Sequence, residues 1–309
     1  MKETYKPQET EEILDYYFYR PLGGLVVKAV LPTSITPNQI TLVSMIFGIL
    51  TGLFIYLNDG IYLWLAIISL MLANILDCAD GQLARARQST GSTFGRAFDG
   101  LADNIVFFFI YLAAALHCQG QPVLGLDGAS PYGWTIWPVA FIASAGHSLQ
   151  SSFFDYFRNQ YILFVVKGYK SEASSVQELK KEQSIFKSQG GKWIERVAFS
   201  LYISYTAIQE RINKNNPFRK DFTVIPDFKE RYRRQNLRIL RLWSVLGATA
   251  HISYVMIFIA INRLDLYLIF EAVFLNIYMI VMKILQNRAD QALIREISED
   301  HPGIHHITH

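Results

Sequence analysis

Two short stretches hold the side chains best suited to chemistry: Asp77-Cys78-Ala79-Asp80-Gly81-Gln82-Leu83-Ala84-Arg85 and Gly95-Arg96-Ala97-Phe98-Asp99-Gly100-Leu101-Ala102-Asp103. Asp77 and Asp80 are three residues apart and Asp99 and Asp103 four apart, so on helices each pair shares one face. A lone Asp at a helix end is usually a cap or simply solvated. Four at these spacings, with glycines and an arginine between them, are much harder to explain that way. Unpaired, they would repel one another, and an ionised group at depth in a bilayer costs a few kcal/mol on insertion scales. A pair of divalent cations removes both penalties. Oxygen-only ligands favour hard ions, Mg²⁺ or Mn²⁺, and two such ions suit a diphosphate, whose oxygens and leaving-group charge they neutralise. Gly81, Ala84 and Gly95 leave room for a ligand near the backbone, and the Arg85 fork fits phosphate.

The elements that must position these acids read as membrane helices. Of the 309 residues, 51% are apolar and only 18% charged, against about 25% charged in an ordinary soluble domain. Six segments approach the roughly 20 apolar residues a crossing needs: Gln39–Leu57, Tyr62–Gly81, Phe98–His117, Trp134–Ser152, Trp243–Ile261 and Leu266–Leu285. The expected fold is therefore all-α, a polytopic membrane protein with six transmembrane helices. Both acid pairs then sit at the same ends of neighbouring antiparallel spans. Ahead of the first span, Glu11–Leu31 mixes apolar residues with Tyr16, Tyr17, Tyr19, Arg20 and Lys28, as in a helix lying in the interface, and Pro37-Asn38 reads as the start of the next helix. The polar, charged stretch Met1–Glu12 has no signal-peptide character.

Of the 29 Lys and Arg residues, 17 fall between Lys167 and Arg241. That local concentration forms a basic cytoplasmic insert between the fourth and fifth helices, unlike the uniformly basic surface of a nucleic-acid binder. The loops at Asn58–Gly60 and Gln119–Gly133 contain no Lys or Arg, which predicts cytoplasmic termini. The expected organisation is an interfacial segment (1–38), a catalytic unit of helices 1–4 (39–165), the insert (166–241), helices 5–6 (242–287) and a tail (288–309). Within the insert, Trp193–Ile212 is too short in its apolar part to cross. It reads either as a surface-lying amphipathic helix or as one packed on neighbouring cytoplasmic segments. Gln189-Gly190-Gly191-Lys192 lacks the first glycine and the Ser/Thr of a phosphate-binding loop. Cys78 and Cys118 read as small packed hydrophobes, not a disulfide. On the fourth span, His147, Ser151, Asp155 and Arg158 recur every three or four residues as one polar stripe, which suits either an acceptor headgroup or a hydrogen-bond network between helices. Lys167 and Lys170 could attract a phosphate but better suit a membrane-facing basic surface, and His301, His305, His306 and His309, which could suggest metal binding, better suit a disordered tail.

The pattern Asp77-x-x-Asp80-Gly81-x-x-Ala84-Arg85, then Gly95-x-x-x-Asp99-x-x-x-Asp103, resembles the signature of the CDP-alcohol phosphotransferases, membrane enzymes of phospholipid headgroup synthesis. Nine residues separate Arg85 from Gly95 where the family usually has eight, with the extra residue placed near Gly91. The resemblance implies that Asp77, Asp80, Asp99 and Asp103 bind two divalent cations and that Asp103 also acts as the base. It further implies that Gly81, Ala84, Arg85, Gly95, and Asn38 and Thr41 of the Pro37-Asn38-x-x-Thr41 element, surround the nucleotide. The family is typically homodimeric, and Gly48-x-x-x-Gly52 permits close helix packing within or between subunits.

The expected activity is transfer of a phosphatidyl group from CDP-diacylglycerol, the activated donor lipid, to a small polar alcohol acceptor such as inositol phosphate, inositol, glycerol phosphate or serine. The chain would sit among the lipids of a bacterial cytoplasmic membrane. One alternative is CDP-ethanolamine or CDP-choline transfer to a lipid alcohol. More remote are a cation transporter, which leaves Gly81, Ala84, Arg85 and Gly95 unexplained, and a structural scaffold, which predicts no effect of Asp99→Asn.

Overall fold

A computed structural model describes residues 8–87, 93–166, 176–188, 193–212, 218, 222 and 225–300. Gly91, Lys167, Lys170, Gln189–Lys192 and the four tail histidines lie outside the described residues. The fold is all-helical, as expected, with no strand among those residues.

The elements run α1 (Arg20–Val30), α2 (Pro37–Leu57), α3 (Gly60–Ala86), α4 (Thr93–Gln119), α5 (Ile136–Val165), α6 (Val176–Ser188), α7 (Trp193–Ile212), α8 (Phe228–Trp243), α9 (Ala248–Ala260), α10 (Leu264–Ile269) and α11 (Asn276–Asp300). A π-helical turn, Phe270–Leu275, joins α10 to α11. Among the described residues, four helices are long and apolar enough to cross a bilayer: Pro37–Leu57, Gly60–Ala86, Ala97–Gln119 and Leu264–Asp300. A fifth results if the bent pair Phe228–Leu246 and Ala248–Ala260, angled at 40°, counts as one span. The expected span Trp134–Ser152 falls in α5, whose 30 residues reach about 45 Å. Its composition is too polar to stand out as a crossing, because Ser144, His147, Ser148 and Ser151 face a cavity.

Start signals in the sequence act as predicted at α2. Pro37 occupies the first turn, Thr36 accepts from the Gln39 amide, and the Gln39 side chain accepts from the Thr36 amide at 2.8 Å, a capping box. Arg87, at the end of α3, donates to the carbonyls of Val30, Leu31, Thr33 and Ile35. This clamps the α1–α2 turn and holds the Pro37–Thr41 element beside the acids of α3.

The close approach of α2 to α4 depends on glycine. A Cβ on Gly52 would lie 2.9 Å from the Phe109 carbonyl oxygen, and one on Gly48 would overlap the Val106 side chain. The small-residue spacing therefore packs within the chain, on the helix that carries Asp99 and Asp103. Gly52→Leu is expected to cost about 1–3 kcal/mol through overpacking, read as a lower unfolding temperature of detergent-solubilised protein. Gly60→Ala, where a Cβ meets open space, should leave that temperature unchanged.

A long-range cap explains the bend between α8 and α9. The buried Glu12 carboxyl group accepts from the amides of Thr249 (3.3 Å) and Ala250 (2.9 Å) at the start of α9, and burial, which those bonds only partly offset, pushes its pKa up to about 8. A side chain at Gly247 would collide with it. Beside it, Arg20 pairs with Glu11 (2.9 Å) and Asp15 (3.1 Å). Burial pushes the Asp15 carboxyl up, but the Arg20 guanidinium together with hydrogen bonds to Glu11 and Cys78 outweighs it and holds the group below the usual carboxylate range. Beyond Leu285, α11 continues through the expected tail to Asp300, where Asp300 and Glu296 pair with Arg231 of α8.

Candidate active site

Three of the four acids expected to converge do so: oxygens of Asp77 and Asp80, in the C-terminal half of α3, and of Asp99, in the second turn of α4, all lie within 4.8 Å of one another, and Asp103 is not one of that group. Asp80 is 7% exposed, and Thr41 donates its hydroxyl to the Asp80 carboxylate. The Pro37-Asn38-x-x-Thr41 element therefore reaches the site through a carboxylate. Thr41 also donates to the Pro37 carbonyl and is itself buried, whereas Asn38 is exposed on the first turn of α2. An all-oxygen set of this span, partly shielded from water, fits hard divalent cations.

Of the smaller signature residues, Gly81 lies under the Arg85 guanidinium, with an added Cβ falling 3.4 Å from Arg85 Nη1. The fork thus arches back over the backbone beside Asp80. Ala84 and Gly95 are half-buried at the facing ends of α3 and α4.

Asp99 and Asp103 line a cavity of about 510 Å³ between α4, α5 and α7, within the range of small-molecule sites. The predicted stripe His147, Ser151, Asp155 and Arg158 forms its α5 wall. The two readings of that stripe both have a physical counterpart. Asp155 and Arg158 pair at 2.7 Å and face the cavity. His147 shares a hydrogen bond with the Tyr111 hydroxyl (3.1 Å) and stacks on His251, with ring centroids 3.9 Å apart.

Behind His147 lies a polar cluster that sequence reasoning missed. His251 and Glu271, both fully buried, are joined at 2.8 Å, Tyr267 donates to the Tyr111 hydroxyl at 3.0 Å, and Glu271 sits in the π-helical turn. An ionisable residue inside an apolar span was the available signal. The α7 residues Tyr202, Tyr205, Thr206 and Gln209 also line the cavity. Their i, i+3, i+4, i+7 spacing could have marked them as one face.

Comparison with known proteins agrees with the signature. The family model "CDP-alcohol phosphatidyltransferase" matches residues 34–154. A curated relative, "Bifunctional IPC transferase and DIPP synthase" of Aquifex aeolicus (strain VF5), is 29% identical over 116 residues. That alignment covers 38% of this chain and 23% of the relative. The family-matched segment begins just before the capping box of α2 and ends within α5, so it contains all four acids, the Arg85 fork and, of the α5 stripe, His147 and Ser151. The signature in sequence and three of its acids gathered in space fall within the same stretch, residues 34–154, that matches the CDP-alcohol phosphatidyltransferase family model.

Proposed function

We propose that this chain transfers a phosphatidyl group from CDP-diacylglycerol to the hydroxyl of a small polar alcohol, releasing CMP. The observation that carries the reading is the carboxylate cluster of Asp77, Asp80 and Asp99, within 4.8 Å, opening on a polar cavity that Asp99 and Asp103 also line. Asp77, Asp80, Asp99 and Asp103 would hold two divalent ions, Mg²⁺ or Mn²⁺, which supply charge neutralisation for the diphosphate and the departing CMP. Arg85 would bind the same phosphates through its fork, with Gly81, Ala84 and Gly95 giving the nucleotide access and Asn38 at its rim. Thr41 would orient Asp80.

From the cavity side the acceptor oxygen approaches the phosphorus distal to cytidine. Asp103 takes its proton, the new O–P bond forms, the P–O bond to CMP breaks, and CMP carries the bonding pair away. No covalent enzyme intermediate is required. His147, Ser151, Asp155 and Arg158 would bind the acceptor. In the same reading α5 is a sixth crossing, the acids and both termini face the cytoplasm of a bacterial inner membrane, and the chain pairs as a homodimer.

The test supplies purified protein with Mg²⁺ and CDP-diacylglycerol, offers serine, inositol, inositol phosphate and glycerol phosphate singly, and measures CMP. One acceptor should raise CMP well above the acceptor-free rate and yield the matching phospholipid. Turnover only with CDP-ethanolamine or CDP-choline and a lipid alcohol would reverse the roles of the partners.

A further inference from the structure

We propose that helix α7, from the insert outside the family-matched segment, is one wall of the acceptor site, and that Tyr205 and Gln209 position the α5 face that selects the acceptor. The inference rests on the transferase reading above and gives the insert a role within it.

Packing fixes where α7 stands. Buried Ala198 and partly buried Tyr202 pack against Ala97, Leu101 and Ile105 of α4, the turns that present Asp99 and Asp103. This anchors α7 beside the reacting end of the cavity. From there its polar face turns to α5: the Tyr205 hydroxyl donates to Asp155 Oδ2 at 3.3 Å and the Gln209 amide donates to the Ser152 carbonyl at 3.1 Å. Asp155 is thus held between Tyr205 and Arg158, the latter at 2.7 Å. Burial keeps the Tyr205 phenol protonated well past its ordinary range, and the Asp155 charge adds to the effect, so the hydroxyl is a dependable donor.

Chemistry narrows the occupant. Across from Asp103 the α7 wall offers phenol, hydroxyl and amide groups from Tyr202, Tyr205, Thr206 and Gln209. Hydroxyl and carboxamide oxygens can accept from the hydroxyls of a small polar alcohol, whereas an acyl chain offers them no donor. Tyr205 and Gln209 are positioning residues in this scheme, since they act through Asp155 and the α5 backbone.

The experiment measures CMP release by full-length protein with Mg²⁺ and CDP-diacylglycerol, using whichever of serine, inositol, inositol phosphate or glycerol phosphate the wild-type protein accepts best. Tyr205→Phe and Gln209→Leu are each expected to raise the acceptor KM roughly tenfold, as for a lost hydrogen bond to a charged or dry group. The donor KM and the Mg²⁺ dependence should stay within twofold. Ile208→Ala, on the exposed side of α7, should change neither. Unchanged acceptor KM in both variants, or a parallel rise in donor and acceptor KM, would overturn the proposal while leaving the transferase reading in place. Absence of CMP release from wild-type protein with every acceptor would remove both.

Discussion

Asp103→Asn is expected to lower kcat by roughly 10²–10⁴-fold, the usual contribution of a positioned general base. The amide matches the carboxylate in shape but cannot take the acceptor's proton. Asp103 lies one turn beyond Asp99 on α4 and faces the cavity from which the acceptor must come, so the loss should appear in the chemical step and not in donor binding. The measurement is CMP release against pH and Mg²⁺ concentration. If Asp103 serves as the base, saturating Mg²⁺ does not restore the rate, and the acid limb of the wild-type kcat–pH profile disappears. Full rescue by excess Mg²⁺ would reduce Asp103 to a metal ligand, and a kcat within threefold of wild type would remove it from the reaction.

A second large effect is a change of sign. Asp80→Asn should stabilise the protein in chelator and destabilise it, relative to wild type, in Mg²⁺. Oxygens of three carboxylates within 4.8 Å repel by about 3 kcal/mol per pair at an effective dielectric constant near 20. Removing one charge relieves part of that strain when no cation is bound. Asn retains an oxygen for the Thr41 hydroxyl, which now donates to the Asp80 carboxylate, so the local hydrogen bond survives. With Mg²⁺ at a hundred times its dissociation constant, wild-type protein gains about 2.7 kcal/mol by binding, and the variant forgoes most of it. Thermal unfolding in EDTA and in Mg²⁺ reads both halves. The variant should unfold above wild type in EDTA and below it in Mg²⁺, with CMP release lost in either condition. The same rank order in both buffers would mean that the acids are not held together against their own repulsion.

This conflict between stability and function is what made the site legible. Acids spaced three and four apart could only share faces of two helices, and the short connection between those helices left them little choice but to meet. The start of α2 was equally readable, because Thr36, Pro37 and Gln39 carry a cap whose partners are all within three residues. What sequence could not supply was partners far along the chain. Gly48 and Gly52 announced a close contact, yet only the fold names Val106 and Phe109 as its other side. The span expected at Trp243–Ile261 is broken because Glu12, 237 residues from Thr249, caps α9, and a periodicity argument has no access to that contact. Likewise the polar stripe of α5 suited either an acceptor or a network between helices, and only the fold shows it walling a cavity. His251 and Glu271 escaped notice because each is a single polar residue in an apolar run, and their pairing at 2.8 Å needs two separate helices to come together.

The account stands on divalent ions held by Asp77, Asp80, Asp99 and Asp103, and Mn²⁺ binding followed by electron paramagnetic resonance tests it most directly. In the presence of CDP, wild-type protein should bind about two Mn²⁺ per chain, as a two-metal phosphoryl-transfer site requires, with Mg²⁺ competing for both. Asp80→Asn should lose at least one of them. Equal Mn²⁺ stoichiometry and affinity in wild type and Asp80→Asn would contradict the account.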